Sequence, residues 1–184
     1  MDHVPTTTLE AGLDHVRAAP VDRGRVELIV RRPAVGEREI LDVGELDLAE
    51  GLVGDTWKDR PSPRMLFRGA HPDMQLNLIN ARVSALIAAD PAHRALAGDQ
   101  LHLDLDLSEA NLTPGTRLGL GSAVIEITDQ PHRGCAKFAK RFGKDALRFV
   151  NSPVGTQLHL RGVNAKVVAG GTVRPGDTVT KLPT

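Results

Sequence analysis

The segment LHLDLDL (residues 101–107) alternates Leu with His or Asp without interruption. A strand sends successive side chains to opposite faces, so Leu101, Leu103, Leu105 and Leu107 share one face. A helical period of 3.6 would scatter the same residues around the axis. The chain must therefore build a sheet with an apolar face to bury. MQLNLIN (74–80) repeats the alternation, and GRVELIVRRP (24–33) reads as an earlier strand stopped by Pro33. TRLGLGSAVIEIT (116–128) reads as a hairpin turning at Gly121-Ser122. The tail from Gln157 to Leu182 gives three or four short strands, punctuated by Gly170-Gly171 and Pro175-Gly176.

Helices are fewer. Thr7 and Glu10 have capping-box spacing ahead of Leu9, Leu13 and Val16, which predicts one N-terminal helix ending near Pro20. ARVSALIAAD (81–90) switches to helical spacing before Pro91, and residues 135–150 have helical character. EILDVGELDLAEGLVGDTW (39–57), with Gly44, Gly51 and Gly54, reads as strand, turn and loop. Short strands joined by Gly/Pro turns, with a few helices between them, predict a mainly β (α+β) fold: a β-barrel decorated by helices. The 184 residues suit one barrel domain over 24–184 with a helical extension over 1–23.

Composition narrows the function. Aromatic residues make up 3% and Tyr is absent, so the core must rest on Leu, Val, Ile and Ala. The 23 basic and 23 acidic residues cancel, which argues against nucleic acid as a partner, since phosphate binding draws on an excess of Lys and Arg. No apolar run approaches the roughly 20 residues that span a bilayer, and MDHVPTTTLEAG lacks the pattern of a secretory signal. No membrane association and a cytoplasmic location are the expectations. One cysteine forms no internal disulfide and cannot hold an Fe–S cluster. Electrons, if used, come from another protein.

That cysteine, Cys135, stands in DQPHRGCAKFAKRFG (129–143), with His132 and Arg133 before it and Lys137, Lys140 and Arg141 after it. A thiol reacts as its thiolate, and nearby cations or a helix N-terminus lower its pKa from about 8.5. Pro131 and Gly134 make a turn, so a helix starting at Cys135 would add its positive end. The competing reading is a small buried hydrophobe. His132 and Cys135 are half of a zinc site, but no second pair has ligand spacing. No motif ties His93, His102 or His159 to Cys135 for nucleophilic hydrolysis. The glycines of GLVGD (51–55) and GLGS (119–122) fit turns rather than phosphate-binding loops. Asn111, in the loop after the alternating strand, can donate and accept hydrogen bonds to a heterocycle or simply form an Asx turn. Arg161 suits an anion contact or a solvated edge.

In order along the chain, GLVGD, MQLNLIN, SEANLTPGTRLGLGSAVIEIT (108–128), PHRGCAKFAKRFG (131–143) and LRGVNAKVVAGGTVRPGDTV (160–179) resemble the MOSC domain, the module similar to the C-terminal part of molybdenum-cofactor sulfurases. The resemblance implies a barrel of the pyruvate-kinase type. It places Cys135 at the family's single characteristic cysteine, which either carries sulfur as a persulfide or ligates molybdenum held by a molybdopterin cofactor. The latter chemistry reduces N-hydroxylated compounds. On that basis Cys135 is the expected catalytic and metal-binding residue. His132, Arg133, Lys137, Asn111, Asn80 and Arg161 are the expected cofactor contacts. The chain has no room for the pyridoxal-phosphate desulfurase domain of the linked sulfurases. A bound pyridoxal phosphate is therefore not expected, and an external cysteine desulfurase or an external reductase is the implied partner. A non-catalytic sulfur carrier or ligand-binding module is the alternative. Ser108-Glu109-Ala110-Asn111 departs from the Gly-Glu-Asn common in the family, and TWKDRPSPR (56–64) replaces a His-containing continuation.

Overall fold

The computed structural model describes residues 3–59 and 69–183; the second half of TWKDRPSPR lies outside them. Two short helices, α1 (Thr6–Ala11) and α2 (Leu13–Arg17), precede β1 (Arg23–Arg31). Short strands β2 (Glu39–Ile40), β3 (Gly44–Asp47) and β4 (Gly51–Leu52) follow. β5 (Leu76–Asn80) runs directly into α3 (Ala81–Ile87), and a 3-10 helix (Pro91–Ala97) leads to β6 (Leu101–Asp104). β7 (Arg117–Leu120) and β8 (Ala123–Ile127) form the hairpin predicted around Gly121-Ser122. Then come α4 (Ala136–Val150), α5 (Pro153–Gln157), β9 (Val163–Ala169), β10 (Gly171–Val173) and β11 (Thr178–Lys181).

Seven strands close into a barrel in the order β1-β11-β7-β8-β9-β5-β6, returning to β1. Closure comes from β1 pairing with two partners along its length: Arg23 opposite Thr180 in β11, and Val26 opposite Leu103 in β6. The pair β5–β6 is parallel, so its connection must cross over the sheet, which α3 and the 3-10 helix accomplish. β10, β3 and β4 make a separate three-stranded sheet, whose Leu46, Leu52 and Val173 join the barrel core.

Two cores result. All four leucines of LHLDLDL enter the barrel interior with Leu78, Ile125 and Ala165, as the alternation requires. The second core lies under the helices, where Leu9, Ile79 and Val83 meet Phe138, Phe142 and Phe149. β6 is thus covered on both faces, and His102, pointing away from the barrel interior, is fully buried. No helix among the described residues is long and apolar enough to cross a membrane.

Three elements differ from expectation. The N-terminal helix is two helices split at Gly12, where an added Cβ would lie 2.5 Å from Leu86; Pro5 takes the cap position and no capping box forms. The 135–150 helix breaks at Gly143, whose φ is +90°. QLHL is not a strand. The Ser152 hydroxyl accepts from Gly155 N at 3.0 Å and Pro153 occupies the first turn, so the cap favours α5 over the local alternation.

His102 Nδ1 contacts Ser84 Oγ at 2.9 Å, and Nε2 has no hydrogen-bond partner among the described residues. Burial, opposed by the Asp99 charge, lowers its pKa from 6.5 to about 4. The unfolded chain therefore takes up a proton as pH falls below 6.5, while the native protein does so only near 4. Stability should fall across that window by roughly 3 kcal/mol from this residue. Urea unfolding at a series of pH values tests this: His102→Leu should flatten the slope between 6.5 and 4, and an unchanged slope would count against it.

Candidate functional site

Asp99, between the 3-10 helix and β6, has a carboxylate sealed from solvent. A buried charge persists only when paired and hydrogen-bonded. Arg161 Nη1 donates to both its oxygens, at 2.8 and 2.7 Å, and Arg161 Nη2 donates to Ala97 O at 3.2 Å. His132 Nε2 lies 2.8 Å from Asp99 Oδ1. Burial would raise the Asp99 pKa, but the Arg161 charge and the His132 hydrogen bond outweigh it and hold the carboxyl far below its ordinary range. Nε2 of His132 therefore carries the proton and donates it. Burial, then the Arg161 charge, lower the His132 pKa against the pull of Asp99, so the ring is neutral and Nδ1 is its accepting nitrogen.

The local backbone sets these partners. Gly162, with φ +102°, approaches Leu78 O so closely that a Cβ would lie 2.0 Å from it; no other residue fits. This turn delivers Arg161 beneath α4, where its guanidinium lies 5.1 Å from the centre of the Phe138 ring. A second buried pair stands beside the first. Arg32 Nε and Nη2 each lie 2.7 Å from an oxygen of Asp55, the last residue of GLVGD. Arg32 Nη1 donates to Asn77 Oδ1 at 3.0 Å and to Gly98 O at 3.1 Å.

Cys135 occupies the cap position of α4 in extended backbone, and its carbonyl accepts from Ala139 N at 3.0 Å. Its side chain is exposed, so the buried-hydrophobe reading fails. The loop before it is clamped: Gly134 N donates to Asn151 Oδ1 at 2.9 Å, and Asn151 Nδ2 donates to Gly134 O at 3.0 Å. The thiol opens onto a cleft of about 470 Å³ whose basic lining residues are Arg32, Arg38, Lys137, Arg141 and Arg161. Among the described residues no Asp or Glu lines it. Lys137 and Arg141 are one helical turn apart and share a face. Arg38 Nη2 and Arg141 Nη1 lie 3.0 and 3.5 Å from the point where a Gly98 Cβ would stand, hence at most 6.5 Å apart.

Four of the expected site residues, Cys135, His132, Lys137 and Arg161, meet in this cleft. Arg133 instead lines a second cavity, of about 360 Å³, which shares His132 and Arg161 with the first. Asn80 and Asn111 reach neither cavity. Asn80 Oδ1 accepts from Arg82 N at 2.8 Å as the cap of α3, and its Nδ2 donates to Leu105 O at 2.9 Å. Asn111 Nδ2 donates to Val21 O and Asp106 O, and its Oδ1 accepts from Lys181 Nζ. Both amides are spent holding loops. Arg161 and His132 do not act as free cations either, since one is neutralised by Asp99 and the other is uncharged. Sequence reasoning missed Asp99, Arg32, Asn77 and Arg38; it named Arg141 among the cations flanking Cys135 but not among the cofactor contacts, although the Lys137–Arg141 spacing was an available signal.

Asp99→Asn keeps the shape but leaves the Arg161 charge buried without its counter-ion. Unfolding free energy should drop by about 3–5 kcal/mol, measured by urea denaturation near neutral pH. A loss within experimental error would remove Asp99 from its organising role.

A family model described as MOSC domain matches residues 73–180. The fold is similar to the crystal structure of the YuaD protein of Bacillus subtilis, with a TM-score of 0.66 and 17% identity over 85% of this chain and 94% of that one. YiiM of Escherichia coli superposes with a TM-score of 0.55 and 20% identity over 87% of this chain and 70% of that one. No curated protein matches the sequence. The solved structures agree in fold, and the family model spans more than half of the residues, from β5 into β11 and including the Cys135 loop. The chain belongs to the MOSC domain family.

Proposed function

We propose that the protein binds a molybdopterin-type cofactor in this cleft, with Cys135 as the chain's own ligand to the metal. The observation carrying the proposal is an exposed thiol opening onto a basic cleft lined by no carboxylate among the described residues. Lys137 and Arg141 are like charges one turn apart, which costs stability in the absence of an anion, and Lys137 also stands in the first turn of α4, at the positive end of its dipole. Lys137 has no ion-pair or hydrogen-bond partner among the described residues, and Arg141 donates to Leu96 O at 2.8 Å. A phosphate on the ligand would satisfy both.

The donor set fits such a cofactor. No cluster of three His, Cys, Asp or Glu side chains among the described residues could hold a metal. A single soft thiolate is what a metal already chelated by the cofactor's sulfurs would take from the protein. The cleft volume falls in the usual range of ligand sites. When bound, the metal supplies two-electron reduction, which converts an N–OH group and two protons to N–H and water with electrons from an external reductase. The protein's own residues do the rest: Cys135 anchors, Lys137 and Arg141 neutralise phosphate, and the Asp99 network holds His132 neutral and Arg161 in the wall.

The exposure of Cys135 favours a second reading, transient sulfur carriage. The Cys135 thiolate would attack the terminal sulfur of an external cysteine desulfurase persulfide, taking that sulfur and releasing the desulfurase thiolate. Metal analysis and intact-mass spectrometry separate the two readings. Protein from a molybdenum-replete host should carry metal that Cys135→Ser loses, and Lys137→Ala with Arg141→Ala should weaken loading at least ten-fold. Absence of metal, even after reconstitution, would overturn cofactor binding; gain of one sulfur at Cys135 would then identify the carrier.

A further inference from the structure

The cavity of about 360 Å³ across the 131–134 loop from Cys135 plays no part in that proposal. Its apolar floor is Leu112, Ile127 and Val163, where the barrel core reaches the end of β8 and the start of β9. His159 supplies its least ordinary group. His159 is the only non-glycine among the described residues with positive φ, at +47°. It follows α5, where its N donates to Thr156 O, a left-handed cap position usually given to Gly or Asn. Any Cβ there costs strain, so the fold alone would be better served by glycine. The imidazole is nevertheless held firmly: Nδ1 lies 2.6 Å from Leu107 O. A carbonyl only accepts, so Nδ1 donates, and the one-proton tautomer that this contact selects leaves Nε2 as the accepting nitrogen. Among the described residues no hydrogen bond reaches Nε2; Glu109 Oε1 lies 3.8 Å from it. His132, in the wall shared with the cleft, likewise keeps Nδ1 as its accepting nitrogen.

We infer that this second cavity is a ligand site in its own right, taking a small uncharged molecule whose apolar body covers Leu112, Ile127 and Val163 and whose N–H or O–H donor is accepted by His159 Nε2. The inference goes beyond the Cys135 proposal and does not depend on it. Benzamide, which has an aromatic body and N–H donors, is a suitable probe, and methyl benzoate is the same body without donors. Amide NMR titration of the full chain at about pH 8, above the ordinary histidine range, reads both. Benzamide should produce saturable shifts at residues 127–130 and 156–163, with at least about five-fold tighter binding than methyl benzoate, the worth of one hydrogen bond. His159→Gly should abolish that preference without lowering the melting temperature. Equal binding of the two probes to the unmodified protein, shifts confined to the Lys137–Arg141 cleft, or an undiminished preference in His159→Gly would overturn the inference.

Discussion

A single buried carboxylate ties three distant pieces of the chain together. Asp99 precedes β6, its partner His132 belongs to the loop that delivers Cys135, and its partner Arg161 belongs to the turn that starts β9. Removing any of the three would leave a polar or charged group in a low-dielectric interior, where each unpaired group costs far more than a surface contact. The barrel provides the frame, but this ion pair and hydrogen bond set how the cysteine loop lies across its end. His102, fully buried on β6, feels the same Asp99 charge, so the network reaches into the second core as well.

The arrangement sorts the cations of the site into two kinds. Arg32 and Arg161 are neutralised from behind by Asp55 and Asp99 and act as rigid wall. Lys137 and Arg141 stand on α4 without carboxylate partners among the described residues. The first kind shapes the cleft, and the second leaves it a positive potential beside an exposed sulfur. Because His132 and Arg161 also line the neighbouring cavity, a ligand in either space would press on the same wall.

Much of the barrel was legible because period-two alternation is a local property. LHLDLDL placed four leucines in one core, and Gly121-Ser122 marked its hairpin. Closure of β1 on β11 was not legible, since it joins opposite ends of the chain. QLHL misled because its alternation is short, whereas Ser152-Pro153 just before it carried the stronger helix-start signal. Cys135 could be picked out from its neighbours and the resemblance. Asn80 and Asn111 could not be judged, because an amide suited to a ligand is equally suited to a cap or a loop carbonyl. Asp99 has no spacing signature at all: its partners lie 33 and 62 residues away, and only the fold brings them together.

The charge selectivity of Cys135 alkylation tests most directly whether the thiol is accessible in a cleft of positive potential. Iodoacetate and iodoacetamide differ in charge but attack the same sulfur. Relative to a small neutral cysteine amide, the native protein should favour iodoacetate several-fold, with the preference fading at high salt and in Lys137→Ala with Arg141→Ala. A selectivity equal to that of the free amide, or a Cys135 that neither reagent modifies in the folded protein, would contradict the account.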